Sequence, residues 1–419
     1  MAKKHYDWSN GPATLEQHSV AKHKLLQGYL AAYFQTLVTP HQTELRLTIV
    51  DGFAGGGKYI HAVSNELHLG SPFICLKAAE EAEALININR TNRVAFDIDY
   101  FFVEKNKGAA SFLRETINEE GYRNRVGKDV RIIDGDFNDH ADSIIAHIKS
   151  KSPRNGRSIF ILDQYGYRQV PMPLLAKIFQ TLPRAEVILT FNVDSFSTYA
   201  TDKSQTSPLE AIGLPNVFEG KSIQELKENK AQFRALIQGQ LYPHIIKQAG
   251  SRFHTPFFIR TTSGHGDFWL LHLSMHSTAR DVMTKVHWDN SNTFIHYGEE
   301  GLNMFKVGYI TRADEQYTKQ GTLGYMFDDD AKKRTREKLH EDIPNLIYAD
   351  DGGLSFETLF ATTCNDSPAT SSDYREVVAN LAKSNEVEIV LPSGKTTTAK
   401  SLIKGDARIM PPRQRKLVF

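Results

Sequence analysis

Leu25, Leu26, Tyr29, Leu30, Tyr33, Phe34 and Leu37 recur at intervals of three and four, laying one apolar stripe along a helix over about residues 14–38. Thr14-x-x-Gln17 has the form of a capping box at its start, and Pro40 lies just past its end. Beyond it the period changes. LRLTIV, YFFVEK, VRIIDGD, SIFILDQYGY and EVILTFNV are short apolar runs with little alternation, the pattern of strands buried on both faces. Helical segments separate them: FICLKAAEEAEAL, with Ser71-Pro72 as its cap, a stretch near 107–120, DSIIAHIKS, and PMPLLAKIFQTL. This alternation predicts an open, mostly parallel α/β sheet with helices on both faces. Residues 200–250 read as a mainly helical insertion, and FFIRTTSG and GDFWLLHLSMH as late strands that complete the sheet.

The pattern changes again after about residue 290, so the first domain is expected to span 1–290. DDDAKKRTREKLHED predicts a charged helix within a connector at 291–340. From 341 to 419 come a helix near 355–361, the helix SSDYREVVANLAKSN, the strand VEIVL, a turn at Pro392-Ser-Gly-Lys395, and TTTAKSLI. Two helices followed by a hairpin predict a winged-helix-like domain. A chain of 419 residues has room for these parts.

The net charge of +1 makes any basic surface local. One such surface begins at Lys395, where Lys395, Lys400, Lys404, Arg408, Arg413, Arg415 and Lys416 face the single acid Asp406. A basic wing and tail of this kind suit the phosphates of DNA or RNA without reading sequence. Protein docking is the competing reading. The candidate recognition helix offers only Arg375 and Lys383, so base-specific readout is not expected. Cys75 and Cys364 are too few for a disulfide framework or a cysteine metal site. No stretch approaches the roughly 20 apolar residues of a bilayer span, and MAKKHYDWSNGPATLEQ lacks the apolar core of a signal peptide. A cytoplasmic location is expected.

The candidate chemistry centres on LTIVDGFAGGGKY, where an acid ends an apolar strand and a glycine-dense turn follows. Ligands of open parallel sheets bind at such strand ends. A P-loop is excluded because Tyr59 follows Gly57-Lys58. The dinucleotide fingerprint is excluded because Ile60 stands at its third glycine. The remaining pattern, D-x-F-x-G-x-G from Asp51 through Phe53 and Gly55 to Gly57, resembles motif I of class I S-adenosylmethionine-dependent methyltransferases. The resemblance implies that Asp51 accepts from the methionine amine of the cofactor, while Gly55 and Gly57 let the backbone approach it. It further implies that Glu104, which ends the second strand in FFVEKN, takes the ribose hydroxyls. Asp136 then suits the adenine amino group, and Phe137 is available to pack on the ring. Glu104 follows the glycine turn by nearly 50 residues, so an insertion at about 58–95 is required. Capping and turn-forming roles are the competing reading for each acid alone.

The fourth strand ends at Asp163-Gln164-Tyr165-Gly166, where amino-methyltransferases carry Asp/Asn-Pro-Pro-aromatic. Asp163 is the candidate acceptor for a substrate amine and Tyr165 a candidate stacking platform for a planar base, flipped out where the substrate is duplex. Tying down the loop is the alternative role for Asp163. With KHKLLQGYLAAYF, VDGFAGGGKY, GSPFICL, FFVEKN, FILDQYGY and FWLLHLSMHSTARDVMTKVHW, the chain resembles the three-Cys-motif partner (TcmP) family over about residues 20–290. That family usually has proline where Gln164 stands, and losing the proline is expected to loosen the loop. The resemblance implies a radical-SAM-like iron–sulfur partner carrying the three cysteines. It also places Lys22 and His23 on the family's N-terminal Lys-His; they are candidates for a lid over the cofactor carboxylate, with an exposed helix face as the competing reading. Asn192 and Asp194 end the fifth strand and are candidates to line the substrate mouth, with loop capping as the competing reading. His265, Asp267, His272 and His276 lack the spacing of a metal site, and no Gly-x-Ser-x-Gly elbow supports a hydrolase. Three functions follow: methylation of a nucleobase amine, a SAM-binding docking subunit of weak activity, and small-molecule methylation.

Overall fold

The computed structural model describes residues 6–165, 168–192, 212–214, 241–259, 268–290, 294–296, 300–303, 325–326, 328–350 and 352–412. The chain divides into two compact units, one formed by Met1–Phe233 with Gln240–Val286, the other by Arg234–Gly239 with His287–Phe419.

In the first unit a short strand, β1 (Ala13–Leu15), leads into α1 (Gln17–Leu37). Thr14 pairs with Ile60 in a parallel ladder, so the expected capping box is not made: Glu16 is the N-cap, without a side-chain bond. The apolar stripe is real, with Tyr29, Leu30 and Phe34 fully buried. There follow β2 (Glu44–Asp51), β3 (Lys58–His61), β4 (Leu67–Leu69), α2 (Ser71–Asn87), β5 (Ala95–Glu104) and α3 (Lys107–Glu119). The next elements are β6 (Val130–Asp134), α4 (Phe137–Lys151), β7 (Ser158–Leu162), α5 (Met172–Thr181) and β8 (Ala185–Asn192). After α6 (Tyr242–Ala249), β9 (Phe253–Ile259) and β10 (Phe268–Ser274), helix α7 (Ser277–Asp289) crosses into the second unit.

The main-sheet strands of this unit lie in the order β9-β10-β8-β7-β2-β5-β6. All run parallel except β10, which pairs antiparallel with both β8 and β9. β7 is buried at every position and β2 along its last five, which explains why these strands read as continuous apolar runs. β1, β3 and β4 form a separate small sheet. β3, β4 and α2 fill the expected insertion between the glycine turn and Glu104. Most of the expected insertion at 200–250 lies outside the described residues.

In the second unit β11 (Phe294–His296) pairs antiparallel with β12 (Tyr325–Met326). The charged segment read as a connector forms α8 (Asp329–Tyr348), which docks on α10 (Ser371–Lys383). Arg336 on α8 reaches Asp373 at 2.8 Å and Glu376 at 3.1 Å. Asp373 also completes a capping box with Thr370 at the start of α10. β13 (Leu354–Ser355), α9 (Phe356–Thr363), β14 (Glu388–Val390), β15 (Thr396–Thr397) and β16 (Arg408–Met410) complete a winged helix, its strands in the order β13-β16-β14-β15.

Gly57 has φ +75°, and a Cβ there would stand 2.6 Å from Leu113 and 2.8 Å from Phe73. Gly121 has φ +91° with nothing within 4 Å of its Cβ. Gly121→Ala should cost about 1 kcal/mol through backbone strain alone. Gly57→Ala should cost about 1–3 kcal/mol more, because the core must also yield. Chemical denaturation of the two variants checks the difference.

Candidate functional site

The strand order reverses at β2, with β5 on one side and β7 on the other, so the carboxyl ends of these three strands lie side by side at the place where open sheets of this kind form their ligand crevice. Asp51 ends β2 and is 0% exposed. Its Oδ1 accepts from the Phe53 amide at 3.1 Å, while Oδ2 has no hydrogen-bond partner. Burial pushes this carboxyl up to about 7, against the Ser71 side chain and the Phe53 amide and with the help of the Asp163 and Glu104 charges. Ser71 is thus close enough to favour the ionised form, though not placed to satisfy Oδ2. The cap of α2 is Gly70, not Ser71-Pro72, and its amide donates to the Gly57 carbonyl at 2.8 Å. That bond fastens the glycine turn to the helix.

Glu104 folds back over the same turn. Its Oε2 accepts from the Gly55 amide at 2.8 Å and its Oε1 from the Asn106 amide at 2.7 Å. Gly55, at φ +60°, supplies the left-handed turn that aims this amide. From α1, Lys22 Nζ donates to both oxygens of Asp163 at 2.6 Å. Burial opposes ionisation of Asp163, but Lys22, a Thr190 hydrogen bond and His23 outweigh it and hold the carboxyl below its ordinary value. His23 is buried, stacked on His68 at 5.3 Å, and its Nδ1 has no partner. Burial, with His68 and Lys22 beside it, lowers its pKa to about 3, so the ring is neutral. The two residues read as a lid therefore sit at the tip of β7, with Lys22 clamped on the candidate catalytic acid.

Sequence reasoning missed a cover over the glycine turn. The Trp8 indole donates to the Lys58 carbonyl at 3.0 Å and lies across Gly56, where a Cβ would meet Nε1 at 2.4 Å. Tyr6, Trp8 and Tyr59 form an aromatic cluster with centroids 5.5–5.8 Å apart, and the Tyr6 hydroxyl bonds Ser19 at 3.0 Å. The available signal was two aromatics in a short polar segment otherwise lacking an apolar pattern.

The remaining candidates divide. Asp136 caps α4, accepting from the Asn138 amide at 3.0 Å and from Lys105 Nζ at 3.0 Å. Burial works against its ionisation, and Lys105 and Asn138 more than compensate. Phe137 is 1% exposed, 6.3 Å from the Phe160 ring and wedged beneath Gly52. It supports the turn from inside the core, which corrects the expectation of an available ring face. Phe53 is half-buried on the turn. Tyr165 is 40% exposed. Gln164 is 1% exposed, and its Oε1 accepts from the Gln169 amide at 2.9 Å and the Val170 amide at 3.2 Å. The Tyr165 amide in turn donates to Gln169 Oε1 at 2.9 Å. These side-chain bonds brace the loop that the missing proline was expected to loosen.

Asn192 ends β8 in register with Phe268, but its side chain lies outside the described residues, as do Gly166, Asp194, His265 and Asp267. His272 is buried in a different cluster, 2.9 Å from Glu186 and 3.1 Å from Tyr29, which also bonds Glu186. Among the described residues no group of three or more His, Cys, Asp or Glu side chains is placed to hold a metal. On the winged helix, Arg375 is committed to the Ile403 carbonyl at 3.0 Å, Ser371 at 2.8 Å and the Phe356 ring, and so is not presented as a base reader. Lys400 pairs with Glu376 at 3.0 Å, and Arg408 donates to the Gly352 carbonyl at 2.6 Å. Lys395 and Lys404 stand exposed on the wing, while Arg413, Arg415 and Lys416 lie outside the described residues.

Residues 308–394 match the family model of the GMT-like wHTH domain. No curated protein matches the chain. Among solved structures, a Legionella pneumophila protein, LPL1258, is similar at 12% identity and TM-score 0.32, with 62% of this chain and 85% of that one covered. A putative O-methyltransferase from Klebsiella pneumoniae is similar at 12% identity and TM-score 0.25, covering 59% and 80%. The B. subtilis M1A22 tRNA methyltransferase TrmK is similar at 9% identity and TM-score 0.23, covering 75% and 93%. The strand order and the single reversed strand, rather than these likenesses, identify the first unit as a Rossmann-like methyltransferase fold.

Burial of Asp51 predicts a pH-dependent cost. In the unfolded chain the carboxyl ionises near 4, whereas in the folded protein it keeps its proton up to about 7. Stability attached to this group is therefore full below pH 4 and lost as pH rises to 7. Asp51→Asn should raise stability at pH 8 by on the order of 2–4 kcal/mol and leave it nearly unchanged at pH 4. Denaturant unfolding at the two pH values checks the sign.

Proposed function

We propose that the chain is a SAM-dependent methyltransferase whose acceptor is a nucleobase amine of DNA or RNA. The observation that carries this reading is the convergence at one crevice of a buried, half-satisfied Asp51, a Glu104 bonded to the glycine turn and an Asp163 held ionised. A buried carboxylate oxygen without a partner is costly unless a ligand supplies a donor. The methionine ammonium of SAM is such a donor, so the residues present fit the cofactor. Asp51 would hold the amine, Gly55 and Gly57 the close approach, Glu104 the sugar hydroxyls and Asp136 the adenine amino group. Each Glu104 oxygen spends one acceptor position on a backbone amide and retains another.

SAM supplies an electrophilic methyl group when bound. What the chain contributes is orientation and charge. Lys22 keeps Asp163 anionic, ready to accept a hydrogen bond from a substrate N–H and so raise electron density on that nitrogen. Tyr165 offers a ring face for the base, and Gln164 fixes the loop that carries both. Exposed Lys395 and Lys404 on the wing would neutralise phosphates.

A second reading rests on the Lys22 clamp: both oxygens of Asp163 are already occupied. On that reading the chain binds SAM but serves mainly to dock the three-Cys-motif, iron–sulfur-type partner that the sequence resemblance implies.

Calorimetric titration with SAM should show tighter binding at pH 8 than at pH 6, by up to about tenfold per unit below pH 7, because protonated Asp51 cannot pair with an ammonium. Asp51→Asn should bind weakly and without that slope; equal affinity in both proteins would remove Asp51 from the site. Tritiated-methyl transfer to mixed DNA, RNA and protein should label nucleic acid, with at least a hundredfold loss in Asp163→Ala. Tight SAM binding with no labelled acceptor would favour the docking subunit. Labelling of small molecules by a protein lacking the basic tail would favour the third function.

A further inference from the structure

At the opposite end of the sheet's strands, where β2 and β7 begin, lies a cavity of about 570 Å3 lined by Arg46, Lys151, Arg154 and Arg157 with Glu44. Two of its cations are neutralised. Arg46 pairs with Glu44 at 2.9 Å, and Lys151 with Asp97 at 2.8 Å and Asp99 at 2.9 Å. Arg154 and Arg157 have no ion pair or side-chain hydrogen bond among the described residues, and Arg157 is half-buried.

Arg184, also without an ion pair or side-chain hydrogen bond among the described residues, stands beside Arg157. Ser158 and Ala185 are in register at the starts of β7 and β8, so Arg157 and Arg184 occupy neighbouring positions one residue earlier. The Ser158 amide donates to the Arg184 carbonyl at 3.4 Å, which fixes the two backbones side by side. Glu186, whose charge reaches Arg157, has its Oε2 bound by Tyr29 and His272. Glu186 sets one negative charge against the two guanidiniums, so a positive charge stays unbalanced at these adjacent strand starts and favours a further anion. A guanidinium fork matches paired oxygens of carboxylate and phosphate alike, but a phosphate has further oxygens that can serve a second arginine, which a chloride or one carboxylate lacks.

We propose that this cavity is a phosphate-binding site, with Arg154 and Arg157 as its primary ligands and Arg184 at its rim. The site lies at the opposite end of the strands from the Asp51 crevice, and the proposal does not depend on SAM binding or on methyl transfer. A phosphate can arrive as the backbone of a nucleic acid or as a free inorganic anion.

The test is calorimetric titration of the full chain with inorganic pyrophosphate at low salt. The wild type should bind, and Arg154→Gln/Arg157→Gln should bind at least about tenfold more weakly. Lys333→Gln, exposed on α8, should bind as the wild type does. Because Arg157 is half-buried, the exposed single variant Arg154→Gln is measured as well, with its thermal midpoint. It should lose about threefold in affinity at an unchanged midpoint. A short single-stranded oligoribonucleotide that displaces pyrophosphate assigns the phosphate to a nucleic-acid backbone, and failure to displace it assigns the site to a free anion. Absence of pyrophosphate binding by the wild type overturns the proposal. So does equal binding by wild type, double variant and Arg154→Gln.

Discussion

Carboxylates crowded at one end of a parallel sheet set the terms for the first unit. Asp51, Glu104 and Asp163 end strands that are neighbours in the sheet, and their charges act on one another across the crevice. In water such repulsion is screened; at a buried strand end it is not. The fold answers with local donors. Backbone amides from Gly55 and Asn106 hold Glu104, Lys22 holds Asp163, and Asp51 alone retains an unpaired oxygen. The glycine turn, the placement of α1 and the loop after β7 all serve this charge balance.

The sheet was readable from the sequence because its strands are buried on both faces, leaving uninterrupted apolar runs bounded by polar residues. The stripe on α1 was readable for the same reason, since Tyr29, Leu30 and Phe34 have no solvent-facing role. The start of that helix was not. Thr14 satisfies the local pattern of a cap, yet its backbone is recruited into a ladder with Ile60, a partner distant in sequence. Ser71-Pro72 failed in a related way, because the Gly70 amide bonds the Gly57 carbonyl and moves the helix start back by one residue.

The candidate site divides along similar lines. Acids at strand ends, and glycines after the first strand, announce themselves by position. What they bond to does not. Nothing local reveals that Lys22 reaches Asp163 across 141 residues, or that Gln164 ties its loop through its own side chain. Phe137 shows the reverse error: an aromatic next to a binding acid looked available but is consumed by the core beneath Gly52. The arginines at the strand starts carry no local signal, because β7 and β8 bring Arg157 and Arg184 together in space and not in sequence.

Electron density from crystals grown with S-adenosylhomocysteine tests the central idea most directly. The account predicts a nucleoside lying along the tips of β2 and β5, its amine on Asp51 Oδ2 and its sugar hydroxyls on Glu104. A crevice filled instead by Trp8 and Tyr6, or a nucleoside bound elsewhere with Asp51 untouched, would contradict it.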